Sequence, residues 1–499
     1  MNDSSISDIE QRIGKYFCQM HNIDTNAKYE LEYIPAIELL TSERLDLIAK
    51  IKWLNALDNN DEQGFYRYLY REHIKAITGR TEVEGGQEEV KNSLEKFEKI
   101  FNELRSIKKT GLDPNISIIP VANNNVIMDG AHRTAAGIVY NKRIPIVRLD
   151  MDYPDTSADF FLDNLMNKEL VEYMVNEYCK ITKKNVYAIC LWPKSYNKEL
   201  RIKTNELIDN ATKIIYKKEI DFNYNALRNF IIQIYSNFNW LGGLEDHFAG
   251  ASDKAKNCWK EKETTLFYFV EGPDLNDILK LKSQIRELYN IGNDSVHITD
   301  NNDETVQIAN LILNNNSIDL LKNGTPDKYK EINILINEFK NIVNKENMNL
   351  DDFIIDSSGI IAIYGLREAN DLDFLSNYNI KISDSRIDKH NSFLKYHNNS
   401  LNEILYNPKN YLYYNNVKFI TLNCARDFKI NRGEKKDMLD VKLIDSVKSG
   451  KISLGLKWNK LKYDTKRYFV FYFRKFKMYV KKIKFIAPIY ELIKRLFKR

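Results

Sequence analysis

Cysteine is scarce in this chain. Its five residues, Cys18, Cys179, Cys190, Cys258 and Cys424, are odd in number, far apart and contain no C-x-x-C pair. That argues against a disulfide framework or a thiolate zinc site and for reduced thiols in a cytoplasm. Long apolar runs are also missing, since no stretch approaches the ~18–20 residues a membrane-spanning helix needs. The amino-terminal MNDSSISDIEQ is polar and has no signal-peptide core, so a cytoplasmic chain is expected. Neither an internal repeat nor a low-complexity linker occurs. What is present is a chain of 499 residues, 43% apolar and 29% charged, which is long enough for two to four folded domains.

The net charge of +5 is unevenly spread. From Lys451 to Arg499 there are 16 Lys or Arg against two acids, Asp464 and Glu491, so this tail carries about +14 and the rest about −9. A duplex-binding protein more often carries its basic surface on the folded domains, so nucleic acid is not the expected partner.

The pattern divides near residues 185, 322 and 450. Residues 1–185 open with helical periodicity (LLTSERLDLIAKIKWLNAL) and a second helix (KNSLEKFEKIFNELRSI), followed by strand-like SIIPV, NVIMD and IPIVRLD, with YIPAIELL a plausible first strand. Residues 186–322 alternate strands (VYAICLW, KIIYKKEI, TLFYFVEG, SVHITD) with helical segments. Residues 323–450 start with an amphipathic helix, then give a strand pair around FIIDSSGIIAIYGL and a late strand VKFITL. The expected fold class is α/β (α+β), multidomain.

Three stretches carry candidate chemistry. In MDGAHRTAAGI, Asp129 ends an apolar run, Gly130 lets backbone approach an anion, and His132, Arg133 and Thr134 open a small-residue helix whose first amides favour negative charge. Arg133 can grip two phosphate oxygens, and Asp129 can orient His132 or bind a metal. An Asp-Gly turn alone is also an ordinary surface turn. In the middle unit, His297 lies at a strand end with Thr299 and Asp300 just after it and Arg286 eleven residues before it. A histidine so placed can accept a phosphoryl group, or simply be structural. In IIAIYGLREANDLDFL, Gly365 follows an apolar run and Asp371 and Asp373 are two apart. On a strand both carboxylates point the same way and can hold Mg²⁺ against nucleotide phosphates, although D-x-D is also common in solvated loops.

The segment VIMDGAHRTAAGIVYNKRIPIVRL resembles the ParB/sulfiredoxin-like superfamily, which binds or hydrolyses nucleoside triphosphates and has one branch that phosphorylates free serine. The resemblance implies phosphate contacts from Asp129, Gly130, His132 and Arg133, and an upstream carboxylate as general base, Asp46 or Glu84. LWPKS with Lys194, QIR with Arg286 and NDSVHITD with His297 resemble nucleoside diphosphate kinases and imply a ferredoxin-like unit, though Ile298 stands where that family has glycine. The strand, glycine turn and D-x-D resemble the nucleotidyltransferase-fold superfamily, as does VKFITLNCARDFKINRGEKKDMLDVKLI, in which Arg432, Lys436, Asp437 and Asp440 lie on one late segment. That resemblance implies Gly365, Arg432 and Lys436 at a nucleotide, ATP or CTP, with Mg²⁺.

Arg467 to Arg499 mixes aromatics with frequent Lys and Arg, interrupted by Pro488. Such a segment suits the headgroup boundary of an anionic membrane, while a partner-docking helix or a nucleic-acid arm is the alternative. The combination resembles bacterial proteins associated with capsule or lipopolysaccharide assembly. It leads us to expect a peripheral phosphotransferase or nucleotidyltransferase acting on a small hydroxyl compound or sugar, with glycosyltransferases as possible partners. A non-catalytic nucleotide-binding scaffold and a nucleic-acid-directed defence nucleotidyltransferase are the competing classes.

Overall fold

In a computed structural model the residues described are 5, 6, 8–85, 89, 91–382, 384–448 and 454–482. The chain is mixed α/β, about 54% helix and 14% strand, with three small sheets.

The first sheet contains β1 (Ser5–Ile6), β2 (Tyr29–Pro35), β3 (Ile119–Val121) and β4 (Arg143–Arg148) in the order β1-β2-β4-β3. β2 runs antiparallel to β4 and β3 parallel to it. The helix Ala131–Val139 makes the crossover between β3 and β4, and Gly137 lets it lie close, because a Cβ there would meet Ala36 and Ile144. The expected strand NVIMD is reduced to one isolated bridge, Val121 with Ile127. Its short apolar run has a partner only at the tip of β3, so the ladder does not extend.

The second sheet contains β5 (Val186–Leu191), β6 (Lys213–Ile220), β7 (Thr265–Glu271) and β8 (Val296–Ile298), in the order β6-β7-β5-β8 with every neighbouring pair antiparallel. The helices Lys198–Ala211 and Leu275–Tyr289 follow β5 and β7. Their apolar sides cover one sheet face through Ile208, Ile278, Leu281 and Ile285.

The third sheet contains β9 (Phe353–Ile355), β10 (Leu372–Ser376), β11 (Ile387–Lys389), β12 (Tyr411–Tyr414) and β13 (Val417–Ile420), in the order β11-β10-β9-β13-β12. The expected strand pair around FIIDSSGIIAIYGL is corrected here. β9 stops at Ile355, Ser357 takes a left-handed φ of 55°, and Ser358–Ile363 is a helix. Every residue of that helix is buried, so its run of apolar side chains has no polar face by which a periodicity could show helix rather than strand.

The three sheets share a principal core, while one face of the second sheet and one of the first keep smaller clusters of their own. Buried side chains from Ala36 to Ile444 form one continuous cluster, and the helix Asn302–Ile312 packs on both β5 and the helix Lys168–Ile181. The helix Asn315–Asn323 packs on Tyr224–Ile234 and also on β12, so chain from the middle unit lies against the third sheet. A final helix, Leu454–Lys482, lies against the helix Ala249–Cys258. Among the described residues no helix is long and apolar enough to cross a membrane.

Candidate functional site

The third unit has the most complete arrangement. Asp373 on β10 and Asp371, in the bend just before its first residue, flank the buried Leu372. They line a cleft of about 270 Å³ with Ser357, Ser358, Arg367, Lys429, Arg432 and Lys436. The Ser358 hydroxyl donates to Asp371 Oδ1 at 3.2 Å. Burial pushes the Asp373 carboxyl up to about 6. His390 partly offsets this, and the charges of Asp371, Asp356 and Asp388 reinforce it. Asp388 sits directly beside Asp373 in the parallel β10–β11 register.

The opposite wall is cationic and held in place by buried acids. Arg367 makes a two-pronged ion pair with Asp440 at 2.5 and 2.8 Å, and Arg432 makes another with Asp437 at 2.7 and 2.6 Å. Lys429, itself buried, bridges Asp437 at 3.3 Å and Asp440 at 2.8 Å. Bidentate geometry fixes both guanidinium planes, and Arg367 Nη1 also donates to the Glu368 carbonyl at 2.8 Å. Lys436 is 72% exposed and pairs with Glu434 at 3.2 Å. Behind the cleft, Asp356 is fully buried and accepts from His390 Nδ1 at 2.8 Å and His397 Nε2 at 3.2 Å. Burial raises its carboxyl, but those two hydrogen bonds overcome that and hold it well below the usual carboxylate range.

Among the described residues no group of three His, Cys, Asp or Glu is preformed for a metal. Mg²⁺ is commonly held by one or two carboxylates, its other positions going to water and substrate phosphates, so the Asp371 and Asp373 pair fits that ion. Gly365, expected at the nucleotide, is placed elsewhere. It closes the helix Ser358–Ile363 at φ 72°, its carbonyl takes a 2.6 Å bond from Lys328, and a Cβ on it would collide with Thr325. The turn at the cleft is instead Ser357-Ser358. Lys429, Arg367 and Asp388 were missed in the sequence. The one available signal was Lys429, three residues before Arg432 and hence on the same helix side.

The first unit gathers its expected residues without an open cradle. Arg133 is tied to Asp129 at 2.9 Å. His132 Nε2 is hydrogen-bonded to the Tyr70 hydroxyl at 2.8 Å, with its ring edge-on to Phe101. Burial, then the charges of Lys50, Lys91 and His73, keeps that imidazole well below its usual range and neutral. Glu84 is paired with Lys91 at 2.5 Å, close enough for Lys91 to act on His132 and for Glu84 to act on Tyr70. Gly130 is left-handed at φ 82° with Ile119 and Arg133 where a Cβ would be. Two expectations are corrected. Asp46 is buried and accepts from Arg44, Lys50 and Thr156. Burial raises it, but Arg44 and Lys50 hold it far below the carboxylate range, so it is no general base. Thr134 is fully buried on the inner side of its helix and cannot reach a nucleotide.

The middle unit places Arg286 near enough to act on His297 but leaves Lys194 and Asp300 on the surface. His297 Nδ1 is hydrogen-bonded to the Tyr235 hydroxyl at 3.0 Å and the ring stacks on Trp192. Burial, then Lys282, Lys254 and Arg286, lowers it to about 3, so the imidazole is neutral at physiological pH. Arg286 has a buried, unpartnered Nε, whereas Lys194 is exposed in the turn Pro193–Ser195. Thr299 is corrected to a structural role, since its hydroxyl oxygen takes the Ala188 amide at 2.9 Å and pairs with Thr305 at 2.8 Å inside the core. Asp300 is exposed and faces Lys282 at 3.3 Å.

No protein-family model matches this chain, and neither a curated protein nor a solved structure matches it.

Proposed function

We propose that this chain is a Mg²⁺-dependent nucleotidyltransferase or phosphotransferase whose chemistry takes place at the third sheet. The observation that carries the reading is the cleft in which Asp371 and Asp373 face Arg367, Arg432 and Lys436. In such a cleft Asp371 and Asp373 would hold the metal, which would supply positive charge to neutralise that developing on the phosphates. Arg432 and Arg367 would orient the phosphates, together with the exposed Lys436. The nucleotide is ATP or CTP and the acceptor a small hydroxyl compound or sugar. We infer a nucleotidyltransferase-type fold for this unit and a ferredoxin-like fold for the middle one, from the antiparallel order β6-β7-β5-β8. The ParB/sulfiredoxin-like turn then serves mainly as a brace: its Arg133 and His132 are already engaged by Asp129 and Tyr70.

A peripheral membrane position is part of the proposal. On Leu454–Lys482 the aromatic residues Trp458, Phe469, Tyr472, Phe473 and Phe476 are exposed among Lys and Arg, while Tyr463 and Phe471 are buried. Pro488 and the rest of the tail lie outside the described residues. The link to surface polysaccharide assembly rests on the sequence resemblance.

The test is NTP consumption with serine, glycerol and sugar acceptors, comparing wild type with Asp371→Asn and Asp129→Asn. Turnover that falls at least 100-fold in Asp371→Asn and survives in Asp129→Asn is expected. The reverse order would move the chemistry to the first unit. Nucleotide binding without turnover on any acceptor would favour the scaffold reading, which the ion-paired state of Arg367 and Arg432 also supports.

A further inference from the structure

A second cavity, about 560 Å³, lies where the first unit meets the third, between Lys52 of the helix Asp46–Asp58, the helix Lys168–Ile181 and the strand β13. It is distinct from the Asp371 cleft. Asn377 and Tyr378, which follow the last residue of β10, line it, whereas Asp371 precedes the first, so a full strand of roughly 15 Å separates them.

The floor is charged but internally balanced. Lys52 pairs with Glu177, and Lys180 pairs with Glu177 at 3.0 Å and Asp351 at 2.7 Å. Asp351 also accepts from Tyr413 at 2.9 Å. Lys418 is buried beneath the rings of Tyr406 and Tyr411 and donates to the carbonyls of Asp351 and Leu405 at 2.8 and 2.9 Å. With each cation matched in this way, the floor presents little unbalanced charge to an ion.

The walls offer flat rings and amides. Tyr66 and Tyr173 come from the first unit, Tyr406 and Tyr378 from the third, with Tyr66 and Tyr406 rings 5.5 Å apart across the seam. Between them runs a linked polar belt. Asn402 lies beside Asp61, Asn377 donates to Asn402 at 2.9 Å and lies beside Tyr406, and the Tyr406 hydroxyl donates to Asp352 at 3.3 Å. Asn55 and Asn59 face this belt from the first unit. An amide carries a donor and an acceptor side by side, which matches a pair of neighbouring hydroxyls, and a carboxylate without an ion pair is a strong acceptor for one. Aromatic faces cover the apolar C–H side of a ring, and a concave site at a domain junction with a few pre-oriented polar groups is where ligands are typically held.

From this juxtaposition we propose that the seam cavity is a binding site for an uncharged oligosaccharide, held independently of the metal cleft. Tyr378 stacks on a sugar ring, and Asn377, Asn402, Asn55 and Asp61 take its hydroxyls. The site is non-catalytic. It positions a glycan on the molecule, and its existence does not depend on what the Asp371 cleft does.

Titration calorimetry of the full chain with maltotriose, chitotriose and globotriose, without nucleotide or Mg²⁺, tests this. At least one trisaccharide should bind. Tyr378→Ala, at a side chain 48% exposed and therefore safe for folding, should weaken it at least fivefold, as should Asn377→Ala. Asp371→Asn should leave binding unchanged, and thermal melting would confirm that the variants are folded. Absence of heat with all three sugars overturns the proposal. So does binding that Tyr378→Ala and Asn377→Ala leave intact, or binding abolished by Asp371→Asn, which would put the sugar in the metal cleft.

Discussion

Asp373 is the residue whose ionisation most directly controls the proposed chemistry. Its carboxyl is raised to about 6, chiefly by burial. A carboxyl raised in the folded state binds more protons there than in the unfolded chain, so this contribution to stability is present at low pH and disappears as pH rises from about 4 to 6. In the metal-free protein Asp373→Asn should therefore add stability on the order of 2 kcal/mol above pH 6, seen as a higher melting temperature, and change little at pH 4. Mg²⁺ needs the ionised form, so its affinity for the wild-type cleft should increase between pH 5 and 7 and be lost in Asp373→Asn. Calorimetry across that pH range checks both. Asp46 makes the opposite case: its charge is fully paired in the core, and Asp46→Asn leaves Lys50 and Arg44 buried without it. A loss of about 3–5 kcal/mol in urea denaturation is expected, with no specific effect on nucleotide affinity. The D-x-D pair was legible as two carboxylates one residue apart, but only Asp373 lies on the strand itself. The paired state of Asp46 was only partly legible: Lys50 is i+4 on the same helix and Arg44 two residues before it, but Thr156 becomes a neighbour only once helix and loop have packed.

Among the elements, strands with a polar neighbour in register or clear turn signals were legible: β5, β6, β7 and β13 fall within the runs expected. The helix Ser358–Ile363 was not, since a wholly buried run looks alike in helix and strand. That error carried Gly365 into the site and left Ser357-Ser358 out. The seam cavity was invisible for a different reason: its lining runs from Lys52 to Lys418, with no motif joining the pieces. The turn before Ala131–Val139 offers a clean measurement. Gly130→Ala would force a side chain into the left-handed region and against Ile119, so a loss of about 1–3 kcal/mol is expected by thermal or urea denaturation. If the turn is a brace, nucleotide binding by the folded fraction should not change.

For the whole molecule, the continuous core implies that the three sheets unfold together. A single calorimetric transition is expected for residues 1–450, and a fragment ending near 322 should be unstable, because it uncovers the helix faces that β12 covers. Removing 455–499 should abolish sedimentation with anionic vesicles while leaving Mg²⁺ affinity unchanged, and unaltered sedimentation would count against the lipid reading.

The helix Leu454–Lys482 has 29 residues, so it is roughly 43 Å long at the usual rise. Tyr463 and Phe471 fasten it to the body at two points a little over two turns apart, which makes it a strut instead of a tether. In the proposed peripheral enzyme, whatever its distal half rests on would thereby be held at a set height from the body, and only acceptors whose reactive hydroxyl reaches that height would be served.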